Sequence, residues 1–124
     1  MTEIDKLNQH LLTYKTQVLF SKNSMRDYKS YPKGTKNAIL ALILKQAQKG
    51  ARFKPEGNGN QLDPPLHKFA KIKPKAMSLR IVYRPVDKED IVEMQIIAIG
   101  PRDRNDVYEL AKKRMGEFFK EMKK

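Results

Sequence analysis

The sequence predicts an α+β domain in which helices come first, an antiparallel meander follows, and one more helix closes the chain. Three observations carry that expectation. Helix-period apolar patterns fill residues 2–12 and 36–49, alternating β-rich segments occupy 67–99, and a last helix-period stripe follows Gly100-Pro101. Helices and strands segregated in this way argue against a doubly wound parallel sheet. With 124 residues the natural unit is a single domain, 1–124, and such a chain buries roughly two-thirds of its unfolded surface, enough for a real core without staples.

Residues 2–12 place Ile4, Leu7, Leu11 and Leu12 at helical spacing behind a Thr2-x-x-Asp5 capping pattern. Residues 14–20 alternate loosely and are β-rich, and Ser21 to Ser24 then supply small polar side chains that cap a helical turn through Tyr31. Pro32 ends that piece and Gly34-Thr35 opens the next. Residues 36–49 are apolar over more than half the helix circumference and Gly50 follows, which marks the principal core helix. Residues 51–65 hold Pro55, Gly57, Gly59, Pro64 and Pro65 and read as a loop. Gly57-Asn58-Gly59 lacks the Lys-Ser/Thr and the strand-to-helix setting of a phosphate loop. Strands are expected at 67–73, 79–84 and 91–99, with Pro85 ending the second, Asp87-Lys88-Glu89-Asp90 as a hairpin tip and Gly100-Pro101 ending the third. Asn105 or Asp106 then caps a helix whose stripe is Val107, Leu110, Ala111, Met115 and Phe118.

Lys and Arg number 26 against 14 Asp and Glu, a net charge of +12, while 40% hydrophobic content is too high for a disordered polyelectrolyte. The charge therefore sits on a folded surface and suits a polyanion. Nucleic acid is the first expectation, with anionic membrane, an acidic protein or mere solubility as alternatives. The absence of cysteine excludes a disulfide framework and a thiol nucleophile. No apolar run approaches the roughly 18 residues of a spanning helix, and the acidic start Met1-Thr2-Glu3-Ile4-Asp5 is unlike a secretory signal. A cytoplasmic protein with no membrane partner is the expectation.

Alternation along the strands gives the positive charge a direction. Lys71 and Lys73 share one face, opposite Ala70 and Ile72, and Arg80, Val82 and Arg84 share one face, opposite Leu79, Ile81 and Tyr83. Between Pro64 and Arg84 there are six Lys or Arg and no acid. An open solvated sheet face is the ordinary alternative for such a pattern. The turn Gly100-Pro101-Arg102-Asp103-Arg104 adds two arginines where the last strand meets the last helix, with Tyr108 about one turn further on. Surface pairing with Asp103 or Asp106 and simple packing of Tyr108 are the alternatives there. His10 and His67 are expected to be exposed or capping, and no His, Asp or Glu group has metal-ligand spacing, so neither a metal nor a cofactor is expected.

Lys71-Ile72-Lys73, Leu79-Arg80-Ile81-Val82-Tyr83-Arg84, the corner from Ile99 through Tyr108, and Lys113-Arg114 together resemble the RelE-like toxins of bacterial type II toxin–antitoxin systems, within the RelE/ParE superfamily. The resemblance covers 14–124 as a core and leaves 1–13 as an extra N-terminal helix. It implies the microbial-ribonuclease type of fold, with helices packed on one side of a twisted antiparallel sheet. It also implies a metal-independent, ribosome-dependent endoribonuclease that cleaves mRNA in the ribosomal A site and inhibits translation, held in a hetero-oligomer by a cognate antitoxin. Carried over by position, the catalytic set is Lys71, Lys73, Arg80, Arg102 and Tyr108. Arg104 is a further RNA contact, and Lys68, Lys75 and Arg84 complete the RNA-binding set. Ser78-Leu79 stands where many members have Gly-Tyr, and Pro101 where a basic or polar residue is usual; neither departure removes a catalytic position. The alternatives are a superfamily toxin that inhibits another target such as DNA gyrase, and a non-catalytic RNA- or ribosome-binding module.

This residue set suits RNA cleavage. Without a metal, the 2′-hydroxyl must lose a proton, the phosphorane must be stabilised, and the 5′-oxygen must gain a proton. Arg80 and Lys73 would bind the scissile phosphate through a planar fork and a movable point charge. Lys71 or Tyr108 would take the 2′-hydroxyl proton and Arg102 would serve the leaving oxygen; stacking on a base is the other role open to Tyr108.

Overall fold

Among the described residues, which are 2–101, 103 and 106–123 of a computed structural model, five strands form one mixed sheet. In chain order the elements are α1 (Glu3–Leu11), a 3₁₀ turn (Leu12–Tyr14), β1 (Thr16–Phe20), α2 (Lys22–Lys29), α3 (Lys33–Lys49), β2 (Asn60–Gln61), β3 (Ala70–Ile72), β4 (Leu79–Lys88), β5 (Ile91–Pro101) and α4 (Asp106–Met122). The strand order is β1-β5-β4-β3-β2, antiparallel throughout except that β1 runs parallel to β5. The α+β class and the β3-β4-β5 meander agree with the sequence reading. The parallel edge does not follow from it, because pairing between residues so far apart leaves no local pattern.

Both faces of the sheet are apolar, and this sets the layers. On one side Ala70, Ile72, Leu79, Ile81, Tyr83, Met94 and Ile96 pack against Leu7 and Leu11 of α1, Tyr28 of α2 and Ile39 and Ile43 of α3. On the other side Val82, Ile97 and Ala98 pack under Val107, Ala111 and Phe118 of α4. Helices therefore lie on both sides of the sheet, and the expected open face of Arg80, Val82 and Arg84 is covered. The cause is legible in the strands: Val82, Ile97 and Ala98 need an apolar partner, and the α4 stripe supplies it.

A β-bulge makes this two-sided burial work. Val82 pairs with Ala98 and Tyr83 with Ile96, so Ile97 is one residue too many in β5. The neighbours Ile97 and Ala98 consequently both face α4, while Ile96 and Ile99 both face the other helices. Beyond Phe20↔Ile96 the strand β5 has no β1 partner, and α2 runs along that edge. Ser21 N–H donates to Ile96 O (3.2 Å) and Asp27 Oδ2 accepts from Ile99 N–H (3.0 Å). Arg114 reaches round from α4, donating to both carboxylate oxygens of Asp27 (2.6 and 3.0 Å) and to Ile97 O (3.0 Å). At the far end of α4, Glu121 accepts from Lys22 N–H in the first turn of α2 (3.0 Å).

The remaining edges are closed locally. Thr2 and Asp5 form the expected capping box, and the Asn8 side chain both accepts from Val18 N–H (2.7 Å) and donates to Val18 O (3.2 Å), which covers the outer edge of β1. After α3, Gly50 at φ +115° turns the chain, and Gly57 lies so close to the Arg52 backbone that a Cβ would fall 2.4 Å from Arg52 O. The glycines of this loop thus serve a close backbone approach. Tyr83 holds it from below, its hydroxyl donating to Ala51 O (2.8 Å), and burial raises the phenol pKa above its ordinary value. Two sequence expectations are corrected here. The loop contributes the short strand β2, and β4 continues through Pro85 to Lys88. Pro85 is tolerated because β3 begins at Ala70, opposite Tyr83, so beyond Tyr83 β4 is an edge strand and can lack an N–H donor.

The Asp27–Arg114 pair is nearly buried, at 14% and 16% side-chain exposure. Arg114→Met or Asp27→Ala alone is expected to cost about 3 kcal/mol of stability, because each strands a buried charge. The double variant is expected to cost clearly less than the sum, and urea midpoints of the four proteins check this.

Candidate functional site

The N-terminus of α4 rests on Gly100, where an added Cβ would meet Val107 at 3.5 Å. Gly100 pairs directly with Arg80, so Arg80 lies on the α4 face next to the start of that helix. Lys71 pairs with Val82, which packs beneath α4, and so shares the face. Lys71 of β3 and Tyr108 of α4 line one cleft of about 260 Å³, whose apolar wall includes Leu62 and Leu66. Lys73 stands one residue beyond the Ile72↔Ile81 pair, at the register position of Arg80, and is exposed. With Lys71 it lines an adjoining cavity of about 380 Å³. Lys71, Lys73, Arg80 and Tyr108 thus converge where β3, β4 and the start of α4 meet.

Tyr108 packs against the apolar cluster beneath α4, while the three cations form no ion pair among the described residues. Arg80 is half-buried, and among the described residues its one hydrogen bond goes to the carbonyl of neighbouring Leu79 (3.1 Å). Neither Lys71 nor Lys73 pairs with a carboxylate among the described residues. Cations beside a half-buried phenol can bind an oxyanion and offer proton-transfer groups to it, with Asp63 and Glu109 in the cleft wall balancing part of the charge.

The other expected contacts separate from this group. Arg84 lies four residues along β4 from Arg80, about 13 Å away. Its guanidinium sits over the rings of Phe119 (4.9 Å) and Phe118 (5.5 Å) and donates twice to Gln95 Oε1 (3.0 and 2.8 Å). Burial lowers its pKa, against the opposing pull of Glu93. Lys68 is placed over the same Phe119 ring at 5.7 Å, and Lys75 is exposed on the turn between β3 and β4. Arg102 and Arg104 lie outside the described residues. His10 and His67 are exposed.

Sequence reasoning missed three cleft residues. Asp63, Glu109 and Lys112 line the same cleft as Lys71 and Tyr108, and Lys112 is paired with Glu109 at 2.9 Å. The i,i+3 spacing of Glu109 and Lys112 was a readable signal for their pair. Asp63-Pro64-Pro65 marked a bend, but nothing local said that the bend faces α4. Among the described residues no three His, Asp or Glu side chains form a group that could hold a metal ion.

No protein-family model matches the chain. In solved structures, a double arginine-to-alanine mutant of Escherichia coli toxin RelE in the free state superposes with a TM-score of 0.60, covering 79% of this chain and 95% of that one at 19% identity. The fold is that of RelE. Isolated Escherichia coli RelE gives a TM-score of 0.51 at 19% identity over 79% of this chain and 96% of that one. The RelE mutant in complex with a peptide of the antitoxin RelBc gives 0.55 at 16% identity over 78% and 94%. In sequence, a curated Escherichia coli protein described as a RelE-like toxin is 44% identical over 45 residues. That stretch is 36% of this chain and 45% of the relative, so the match spans less than half of the relative's length. The RelE-like reading of the sequence and the RelE fold agree.

Arg80 and Arg84 differ in what they hold, and substitution separates them. Arg84→Ala removes the donor to Gln95, which is 1% exposed, and uncovers two phenyl rings, so a stability loss of about 2 kcal/mol is expected. Arg80→Ala is expected to change stability by no more than about 0.5 kcal/mol. Thermal or urea unfolding of both variants checks the contrast.

Proposed function

We propose that this RelE-like chain is the toxin of a toxin–antitoxin pair and acts as a metal-independent, ribosome-dependent endoribonuclease on mRNA in the ribosomal A site. The observation that carries the reading is the cleft shared by Lys71 and Tyr108 beside Arg80. Beside it, Arg80 and Lys73 hold the scissile phosphate and stabilise the negative charge that grows on the phosphorane. Lys71 or Tyr108 removes the 2′-hydroxyl proton as that oxygen attacks phosphorus and the bond to the 5′-oxygen breaks; Arg102 holds the departing oxygen by its charge while that oxygen takes a proton from water to leave as a hydroxyl. The described part of the cleft holds no histidine. With so weak an acid–base set, much of the rate must come from an external surface that fixes the message in line for attack, which the ribosome supplies. A cognate antitoxin partner is supported by the likeness to the RelE–RelBc structure.

Single-turnover cleavage on programmed ribosomes tests the roles. Arg80→Ala is expected to slow cutting by roughly 10²–10³-fold, as loss of one preorganised oxyanion donor does. Tyr108→Phe keeps the ring; a loss of about 10²-fold or more assigns Tyr108 to proton transfer, and a near wild-type rate assigns it to stacking. Ribosome-bound wild-type protein that leaves the message intact would overturn the nuclease reading.

A further inference from the structure

Two cavities next to the cleft are lined by lysines with no acid among them. The first, about 380 Å³, is lined by Lys54, Lys71 and Lys73 with Asn60 and Gln61. The second, about 150 Å³, is lined by Lys45 and Lys49 at the end of α3, by Lys73, and by Asn58 and Asn60. Neither has an Asp or Glu in its wall, and none of the five lysines forms an ion pair among the described residues. Other cavities carry acids: Arg52 faces Glu56 and Asp87 in one, and Lys22, Arg26 and Lys29 share another with Glu121.

The cavities are also continuous. Lys71 belongs to both the cleft and the first cavity, and Lys73 and Asn60 belong to both cavities. A path therefore runs from the cleft, across the β2–β3 edge of the sheet, to the C-terminal end of α3. Lysines spaced along such a path match a chain of phosphates, and amides between them match sugar hydroxyls and base edges. A helix C-terminus alone would account for Lys49, but not for an acid-free wall built from three separate segments of chain.

The geometry points to this path as a second RNA-binding surface, which holds the same single strand whose cut phosphodiester lies in the cleft. This rests on the reading of the cleft as an RNA site. Lys45 and Lys49 are exposed, so replacing both leaves the core intact.

The test measures binding of the full chain to two single-stranded RNA oligonucleotides, a tetramer and a dodecamer, by fluorescence anisotropy over a range of salt. For the wild type the dodecamer is expected to bind about tenfold tighter than the tetramer at low salt. Lys45→Ala/Lys49→Ala should erase that gain, leave tetramer affinity unchanged, and lower the dodecamer's log–log salt slope by about 1.4, or roughly 0.7 for each lost phosphate contact. Tetramer binding with a length gain that survives the double substitution overturns the path alone. Failure of the tetramer to bind overturns the RNA reading of the cleft. Binding of a polyglutamate peptide in place of the dodecamer, lost in the double variant, overturns the choice of RNA in favour of an acidic protein.

Discussion

One extra residue in a central strand, and the ion pair that closes the gap beside it, hold the two halves of this molecule together. The bulge at Ile97 turns two consecutive side chains toward α4 and returns Ile99 to the opposite core, so that β5 serves both layers. On its other edge β5 has no β1 partner past Ile96, and there Asp27 and Arg114 take up the Ile99 N–H and the Ile97 carbonyl. An unpaired buried backbone group would cost a large part of a small domain's stability. The same pair fixes α4 against α2 round the sheet edge. With α4 so held, its first turn lies on Gly100, directly opposite Arg80.

Much of this was legible in the residues. The helices were visible because their apolar spacing, the Thr2/Asp5 box and Gly50 are local signals, and the split of Lys71 and Arg80 from Ile72 and Ile81 follows from the twofold alternation of a strand. The register that brings Lys71 opposite Val82 and Arg80 opposite Gly100 was not legible, since it depends on long-range pairing and on the bulge. The role of Arg114 was hidden for the same reason. It belonged to the recognisable pattern, but its partners Asp27 and Ile97 lie 87 and 17 residues away. Arg84 shows the converse. Strand parity put it on the face of Arg80, but the aromatic pair Phe118-Phe119 draws its guanidinium under α4.

The electrostatics follow from what is paired and what is left unpaired. Among the described residues Arg114, Arg52 and Lys112 are matched to carboxylates, while Lys71, Lys73, Lys45 and Lys49 form no ion pair. Where these lysines line the two cavities beside β3 and the end of α3, no acid shares the wall, and they supply a local positive potential. A cluster of this kind favours phosphate binding. Tyr108 and Lys71 line one cleft because α4 docks over β3 and β4.

The most direct measurement compares two otherwise identical programmed ribosomal complexes, one with an all-RNA message and one with a single 2′-deoxynucleotide at the A-site position cut by the wild type. The expected result is that the all-RNA message is cut, in the presence of chelator, to a fragment ending in a 2′,3′-cyclic phosphate and one beginning with a 5′-hydroxyl, while the deoxy message stays whole. Equal cutting of both messages would contradict attack by the 2′-hydroxyl in this cleft.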